Sequence, residues 1–540
     1  MTIPFNHESK TIAGAAILLG VLSLASRLVG LVRDRILSGQ FGAGDILDVY
    51  YAAFKVPDFV FNLLIVGALS ASFIPLFTRA LQNKDGQREA WCFTNNVLNI
   101  LGVLSLLAAG LMAIFAHSLA DFIAPGFEGV KEAMVVDFTR VMLLAEVFLS
   151  VSVIFGSALQ GLKRFFLYAL APIFYNFGII AGAVWLVPLL GPIGLAWGVV
   201  LGAGLHCLVQ SIGVLLLGYH YCWSFKLRDK ATREMIKLTG PRVLGLAVAQ
   251  INVIVITVLA TFLPSGNLTI FNFAYNIAFL PIGLIGVSYA VAIFPTLSGH
   301  VEQKEMDKFI ETISTGFRQV LFFVIPCTIV FLLLRAQIVR VVVGAGKFGW
   351  AETITTADTL AIIVVSLFAQ CINYLLARAF FSLHDTKTPL FAGLISAAVN
   401  IVVAWLFMPR FGVLALGAAV SLSAVANFIL LWMPLHFRLG TLHEKEILRS
   451  LWLLTVAGLI AGMATQAMKP LVVTYISLDT FWGVLSQGLI AGGFGLVVYL
   501  AVAVGLKSPE ALTFVSSLRR KFLKSYKPEE VVPTPTSTMT

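Results

Sequence analysis

Four charged residues, Arg27, Arg33, Asp34 and Arg35, lie close together at the end of the first long apolar run of the chain. Placing such a charge in hydrocarbon costs about 2.5–3.5 kcal/mol per group, even on the insertion scales that give the lowest values. A cluster of this kind therefore indicates a polar cavity or an ion pathway, and its mainly cationic sign favours an anionic ligand. The alternative is that Arg33 and Arg35 only extend to the lipid headgroups.

Two amides at membrane depth, Asn373 and Asn400, are candidates for a different kind of site. Amide oxygens are suitable ligands for a monovalent cation such as sodium, but no carboxylate stands beside either residue. Hydrogen bonds between helices, worth roughly 0.6 kcal/mol each, are the commoner role of such side chains. Asn373 and Asn400 are therefore weak candidates for an ion site.

Composition identifies the class of protein. Apolar residues make up 59% of the 540 residues, charged residues make up 12%, and the mean hydropathy is +0.93. Soluble domains carry about 25% charged residues, so most of this surface must face lipid. The apolar runs divide into about fourteen segments, because a spanning helix needs roughly 20 residues. The predicted fold is an all-α integral membrane protein with about fourteen transmembrane helices.

Basic residues predict the orientation of these helices. Alternate loops are rich in Lys and Arg, for example 163–164, 226–242 and 507–527, whereas the opposite loops are short, neutral or acidic. By the positive-inside rule both termini are cytoplasmic, which agrees with an even number of helices. The net charge of +10 then reflects topology and gives no reason to expect nucleic acid as a partner. Arg33 and Arg35 lie on the side that should be poor in positive charge, which weakens the headgroup explanation.

The chain also contains two similar halves. The segment around Pro75 resembles the segment around Pro295, 220 positions later, and the segment after Gly194 resembles that after Gly412, 218 positions later. Two pairs at nearly one offset predict two six-helix lobes in the same orientation, a known transporter plan. Chance similarity between apolar segments is the alternative. The predicted divisions are an N-lobe (1–220), a C-lobe (221–440), two further helices (441–506) and a partly disordered cytoplasmic tail (507–540).

Four stretches of the sequence are distinctive: SRLVGLVRDRILSGQFGAGDILDVYYAAFKVPDF at 26–59, FIAPGF at 122–127, GKF at 346–348 and HDTKTP at 384–389. In these stretches the chain resembles the bacterial MurJ/MviN family of the multidrug/oligosaccharidyl-lipid/polysaccharide exporter (MOP) superfamily. The resemblance covers essentially the whole chain in order. It implies a flippase that moves undecaprenyl-pyrophosphate-linked peptidoglycan precursor (lipid II) across the inner membrane by alternating access. It also implies a cationic cavity between two lobes.

The resemblance assigns several residues to this cavity. Arg27 matches the family's cavity arginine in the first helix. Arg33 and Asp34 match its Arg-Asp pair, and Asp48 matches its aspartate before the second helix. Arg378 is a candidate for the C-lobe half of the cavity. Guanidinium suits a pyrophosphate because it donates charge-assisted hydrogen bonds in pairs. A structural ion pair for Arg27, and helix capping or loop pairing for the two aspartates, are the alternatives.

The chain departs from the family pattern at three places. Phe61 and Asn62 replace two arginines, Val66 replaces an acidic residue, and Tyr275 and Asn276 replace an Asp-Arg pair. Asn62 and Asn276 remain substrate-binding candidates, because an amide can donate hydrogen bonds although it cannot neutralise a pyrophosphate. These replacements indicate a different substrate, a headgroup that arrives with a bound cation, or a diverged paralogue.

The leading hypothesis is a lipid II flippase that serves cell-wall synthesis and cell shape. The alternatives are an exporter of another polyprenyl-linked glycan or amphiphile, and a non-transporting membrane scaffold of the same fold. Expected partners are the polyprenyl-linked lipid, membrane lipids and cell-wall synthesis proteins. No catalytic arrangement, metal-ligand spacing or nucleotide loop is present, so we predict no enzymatic activity and no cofactor. Coupling to the membrane potential or to a monovalent cation is expected, because few titratable residues outside the first helix lie at membrane depth.

Overall fold

The structure is a computed structural model that describes residues 12–83 and 85–523. Within these ranges the chain is helical and contains no strand. The helices are α1 (Ile12–Phe41), α2 (Asp45–Ala53), α3 (Lys55–Val60), α4 (Gly67–Leu81), α5 (Gly86–Ile114), α6 (Ala116–Ile123), α7 (Val130–Gly161), α8 (Phe165–Ala181), α9 (Val187–Leu190), α10 (Gly194–Leu215), α11 (Lys230–Thr261), α12 (Asn267–Pro281), α13 (Ser288–Glu302), α14 (Met306–Leu333), α15 (Arg335–Val342), α16 (Trp350–Val365), α17 (Leu367–Ser382), α18 (Lys387–Phe411), α19 (Val413–Leu439), α20 (Glu444–Tyr475), α21 (Phe481–Gly505) and α22 (Pro509–Leu523).

Many of these helices can span a membrane. In the described part of the chain, nine continuous helical stretches are long and apolar enough to cross, and α16 with α17, bent by 45°, forms a tenth. The all-α membrane class is therefore confirmed, whereas the count of fourteen stays a prediction. The predicted tail begins with α22, and its residues 524–540 lie outside the described ranges.

The longest of these stretches, 51 residues from α8 to α10, folds back on itself. It reverses at Gly191, whose φ of +71° is a conformation that favours glycine. A Cβ at Gly178 would collide with Gly202, and one at Gly182 would collide with Gly198, so the two arms run antiparallel in close contact. Small residues at helix interfaces allow this approach in membranes. The stretch therefore crosses the membrane twice.

Backbone features recur at an interval of 221 residues. π-Helical turns occupy Phe61–Val66, between α3 and α4, and Ile282–Val287, between α12 and α13. Lys163 and His384 both have a positive φ, of 58° and 59°. Non-glycine residues seldom adopt this conformation. The interval is the one expected between equivalent positions of two duplicated halves, and the lobe boundaries taken from the sequence stay a prediction.

The two predicted lobes share a buried core at one end of the bundle, where α1 ends and α2 begins; we call it the α1–α2 end. Edge-to-face aromatic contacts join Tyr51 of α2 to Phe273 of α12 (5.9 Å between centroids) and Phe273 to Phe348 (5.8 Å). A second buried cluster, around Phe77 and Trp91, is formed mainly by the N-lobe and includes Met235 of α11. The α1–α2 end is thus where the lobes are joined through packed aromatic side chains.

Candidate functional site

Arg27 lies on α1 against the π-helical turn that joins α12 to α13. A Cβ built on Gly283 would lie 2.7 Å from Nη2 and 2.9 Å from Nη1 of Arg27. The guanidinium therefore occupies the space that the side chain of any larger residue at 283 would need. Arg27 is half-buried, and no described carboxylate forms an ion pair with it. It is therefore a cation between the predicted lobes whose charge is available to an anion.

Arg33 is held inside the N-lobe. Its Nε and Nη2 donate to Oδ1 of Asp34 at 3.0 and 2.8 Å, and its Nη1 donates to Oδ1 of Asn176 at 2.9 Å. Asn176, on α8, is oriented by the bond from its Nδ2 to the Pro172 carbonyl oxygen. Asp34 is 4% exposed. In this state Arg33 binds Asp34 and Asn176 of α8, and no described hydrogen bond or ion pair joins either charged residue to Arg27.

Asp48 joins the lobes at the α1–α2 end. Its Oδ1 accepts hydrogen bonds from the Thr269 N–H (2.9 Å) and hydroxyl (2.7 Å), and its Oδ2 accepts from the Gly266 N–H (2.7 Å) and from Lys131 Nζ (3.1 Å). Asp48 is 1% exposed. A carboxylate of the N-lobe thus caps the N-terminus of α12 in the C-lobe, where the free N–H groups and the helix dipole favour negative charge. We call this contact the Asp48 latch.

Asp45 lies beside the latch at the protein surface and also contacts Lys131. Its Oδ1 pairs with Lys131 Nζ at 2.7 Å and accepts a hydrogen bond from the Ser265 hydroxyl at 2.6 Å. The bond from Lys131, and then that from Ser265, lowers the pKa of Asp45 below its ordinary value. Lys131 also lies 3.8 Å from the centroid of Phe127, in the FIAPGF segment. The ammonium of Lys131 is therefore shared by two carboxylates and one ring.

The end of α1 binds α15 in the C-lobe. Arg35 Nη1 donates to the carbonyl oxygens of Arg340 (3.0 Å) and Val341 (2.6 Å), and the Ser38 hydroxyl donates to that of Val343 (2.6 Å). Cations are favoured at the last carbonyls of a helix, where partial negative charge accumulates. This contact gives Arg35 a structural role within the protein.

Arg378 lies apart from the other two arginines. Its guanidinium carbon is 5.3 Å from the ring centroid of Phe294 on α13 and 6.0 Å from that of Phe381. These are cation–π distances. Phe294 follows Gly283, the neighbour of Arg27, by eleven residues, or about 16 Å along a helix. The three candidate arginines contact different neighbours in this state.

The amides proposed as ion-site candidates bond to two different helices. Asn373 Nδ2 donates to the Ala424 carbonyl oxygen at 2.9 Å, and Asn400 Nδ2 donates to Asn252 Oδ1 at 3.1 Å. The Oδ1 atoms of Asn373 and Asn400 are buried without a hydrogen-bond donor in the described structure. Each residue joins two helices and retains one unused acceptor.

The amides Asn62 and Asn276, the other substrate-binding candidates, differ in exposure. Asn62 lies in the first π-helical turn and donates from Nδ2 to the Asp58 carbonyl oxygen at 2.8 Å. Asn276 is exposed on α12, beside Tyr275, which is 36% exposed. The side chain of Val66 lies outside the described part of the chain. Neither amide contacts Arg27 or Arg33 through a described hydrogen bond.

The HDTKTP loop is organised by Asp385. Its Oδ1 accepts hydrogen bonds from the N–H groups of Lys387 and Thr388 at 3.0 Å each, and Oδ2 accepts from the Thr388 hydroxyl at 2.7 Å. Burial acts to raise the pKa of Asp385, but these bonds and the nearby Arg438 lower it below the ordinary value overall. Asp385 thus caps the N-terminus of α18.

Comparisons with known proteins identify the family of this chain. A family model described as the lipid II flippase MurJ matches residues 37–486. The chain belongs to the MurJ family. Probable lipid II flippases MurJ are similar to it: that of Vibrio cholerae is 28% identical over 94% of this chain and 99% of its own length, and that of Thermotoga maritima is 27% identical over 82% and 88%.

Solved structures show the same fold. A lipid II flippase MurJ in an inward closed conformation has a TM-score of 0.74 at 23% identity, over 94% of this chain and all of that one. An inward-facing multidrug resistance MATE family transporter of the MOP superfamily has a TM-score of 0.65 at 15% identity, over 79% and 99%. The predicted membership of the MurJ/MviN family is confirmed, and the chain shares its fold with the MATE transporter.

Two residues of this MurJ-family chain were missed by reasoning from sequence. Lys131 belongs to the latch but stands at the start of α7 between the acidic residues Glu128 and Glu132. Glu146 lies in the middle of α7 and is 3% exposed. Its signal was present, because it is the only charged residue between Val141 and Leu159. An ionisable residue at membrane depth is a candidate for function by default.

Proposed function

We propose that this chain is a lipid II flippase, which moves undecaprenyl-pyrophosphate-linked peptidoglycan precursor between the leaflets of a bacterial inner membrane by alternating access. Membership of the MurJ family supports the substrate. The observation that carries the mechanism is Arg27, an arginine between the lobes that no described carboxylate neutralises. A pyrophosphate carries the charge and the oxygen atoms that this guanidinium would bind.

A second cation is needed for a doubly charged headgroup. Arg33 follows Arg27 by six residues on α1, or about 9 Å along the helix. It is now paired with Asp34 and Asn176. Exchange of Asp34 for the pyrophosphate would bring Arg33 to the substrate and compensate in part for the arginines absent at Phe61, Asn62 and Asn276.

Alternating access requires the Asp48 latch to break. The positive-inside rule places both termini in the cytoplasm and the α1–α2 end in the periplasm, so the latched state is closed to the periplasm. Each hydrogen bond to a charged group contributes about 1.5–3 kcal/mol. The free energy that opens the latch would come from one of three sources. These are tighter binding of the substrate to the open state, the membrane potential, or a monovalent cation bound at Asn373 or Asn400.

A second candidate is export of another polyprenyl-linked glycan, and the missing arginines favour it. Replacement of cations by Phe61, Asn62 and Asn276 suits a headgroup with less charge than a pyrophosphate. Native mass spectrometry of lipid that co-purifies with the protein distinguishes the two substrates. Protein that retains no polyprenyl lipid would instead favour a non-transporting scaffold.

The experiment is complementation of a bacterial strain depleted of its own lipid II flippase. We expect the wild-type chain to restore growth and Arg27→Ala to abolish it, with Arg27→Lys in between, because lysine keeps the charge and loses the paired donors. Immunoblots of membrane fractions control for expression. Failure of a well-expressed wild-type chain would contradict the lipid II assignment, and full growth with Arg27→Ala would contradict the role of Arg27.

A further inference from the structure

The segment that connects α10 to α11 is fixed to α5 by three buried asparagines. These are Asn95, Asn96 and Asn99. Asn96 bonds the backbone of Lys226 in both directions, since its Nδ2 donates to the carbonyl oxygen (3.1 Å) and its Oδ1 accepts from the N–H (2.6 Å). Asn99 Nδ2 donates to the Ser224 carbonyl oxygen at 2.8 Å. Buried polar groups whose partners are present fix the conformation of a chain. The connecting segment is therefore held in one conformation although it is not helical.

Large apolar side chains of this segment are exposed. They are Tyr221, Trp223, Phe225 and Leu227, and Trp223 is 73% exposed. The exposed apolar surface of α10, which crosses the membrane, leads towards them through Leu208, Ile212 and Leu215. Tryptophan and tyrosine are enriched where a membrane protein passes the lipid headgroups. The segment thus continues the lipid-facing surface of the N-lobe.

Basic side chains follow the aromatic ones. Between residues 226 and 233 the sequence has four basic residues and one acidic residue. Lys226, Arg228 and Arg233 are exposed, and the described structure contains no ion pair to any of them. The acidic residue, Asp229, caps the N-terminus of α11 with its side chain. Because the positive-inside rule places this segment on the cytoplasmic side, its unpaired positive charge lies at the cytoplasmic leaflet.

We propose that residues 221–228 form a binding surface for anionic glycerophospholipids of the cytoplasmic leaflet. Trp223 and Phe225 enter the boundary between headgroups and acyl chains, as the apolar side chains of interfacial segments do. Lys226 and Arg228 bind the lipid phosphates, since basic residues beside an anionic membrane surface are attracted to it. The continuity of the aromatic residues with the lipid-facing surface of α10 favours lipid over a cytoplasmic protein as the occupant.

Spin labels on the full-length chain test the contact with the membrane. The native cysteines are first replaced, because Cys92 and Cys222 lie at this surface. In vesicles of phosphatidylcholine and phosphatidylglycerol in equal parts, a label at Trp223→Cys should be relaxed more by oxygen than by a water-soluble nickel complex. A label at Lys304→Cys, exposed in the loop between α13 and α14, is the control and should show the reverse. Adding Asn96→Ala should make the label at residue 223 more mobile.

Retention of lipid tests the charge. Native mass spectrometry of protein taken from the same vesicles counts bound phosphatidylglycerol and phosphatidylcholine. We expect the wild type to prefer phosphatidylglycerol, and Lys226→Gln with Arg228→Gln to lower that preference by about fivefold for each charge removed. High salt should lower it as well, because it screens exposed charges. Lys304→Gln with Lys308→Gln removes the same charge from a loop on the same side and should leave the preference unchanged.

Two results would overturn the proposal. A label at residue 223 that is relaxed mainly by the nickel complex would show that the aromatic residues face water, where a protein partner is the alternative occupant. An equal loss of preference in the two double variants would show that any pair of surface charges suffices. Neither measurement involves lipid II, so its outcome is independent of the flippase assignment.

Discussion

Replacing Asp48 with asparagine tests whether the latch holds the lobes together. The amide oxygen can still accept the two bonds from Thr269, but the amide nitrogen faces the Gly266 N–H and Lys131, which are both donors. Of the two hydrogen bonds that are lost, only that from Gly266 joins the lobes, because Lys131 belongs to the N-lobe. A hydrogen bond to a charged group contributes about 1.5–3 kcal/mol. Even the lower value reduces the ratio of latched to open protein by about tenfold, because 1.4 kcal/mol is a factor of ten.

The assay is disulfide trapping at the same end. A Cβ on Gly39 would lie 3.3 Å from the Cβ of Ala345, close to the separation that a disulfide requires. We expect Gly39→Cys with Ala345→Cys to cross-link readily under mild oxidation. The native cysteines are first replaced, because Cys92 and Cys222 have their sulfur atoms 4.0 Å apart.

Adding Asp48→Asn to this pair should slow cross-linking strongly. Asp45→Asn should slow it less, because the side chain of Asp45 is 60% exposed. Exposed ion pairs contribute little to stability. Equal cross-linking rates with and without Asp48→Asn, in proteins of equal thermal stability, would refute the argument that this carboxylate joins the lobes.

Three further predictions concern the same region. Gly283→Ala should displace the Arg27 guanidinium and reduce complementation towards the level of Arg27→Ala, without loss of expression. Asp34→Ala should lower the free energy of unfolding by about 3 kcal/mol, the lower end of the range for a buried pair, because the Arg33 side chain is 22% exposed and keeps its bond to Asn176. Adding Arg33→Ala should recover part of that loss in thermal denaturation. The pKa of Asp45 is lowered in the folded protein. The ionised Asp45 therefore stabilises the fold at any pH above its ordinary pKa of about 3.9, and this stabilisation is lost as the pH falls through the lower pKa of the folded state. Asp45→Asn should accordingly flatten the acid limb of a stability–pH profile.

Each of these predictions has its own control. Gly102→Ala adds a methyl group where no atom lies within 4 Å, so it should leave complementation unchanged. For the ion pair, a double mutant as unstable as the sum of the single mutants would show that Arg33 and Asp34 do not interact. An acid limb identical in Asp45→Asn and wild type would assign acid sensitivity to other carboxylates.

Much of the fold was accessible from the sequence, because the relevant signals are local. A run of apolar residues predicts a spanning helix whatever surrounds it, so the membrane class followed from hydropathy. The π-helical turns at 61–66 and 282–287 had no comparable signal. They arise where a helix accommodates an extra residue against its neighbours, as at Gly283 beside Arg27.

For the site, the sequence by itself determined which residues carry charge at membrane depth, and the resemblance to MurJ/MviN determined the family. Both its charge at membrane depth and the family resemblance identify Arg27 as a candidate. Tertiary structure decided what each charge binds: Asp48 caps a helix that begins 219 residues later, and Arg33 bonds Asn176. The physical reason is that an ion pair or a cap needs two groups within about 3 Å. Sequence spacing cannot predict that distance between helices that meet only after folding.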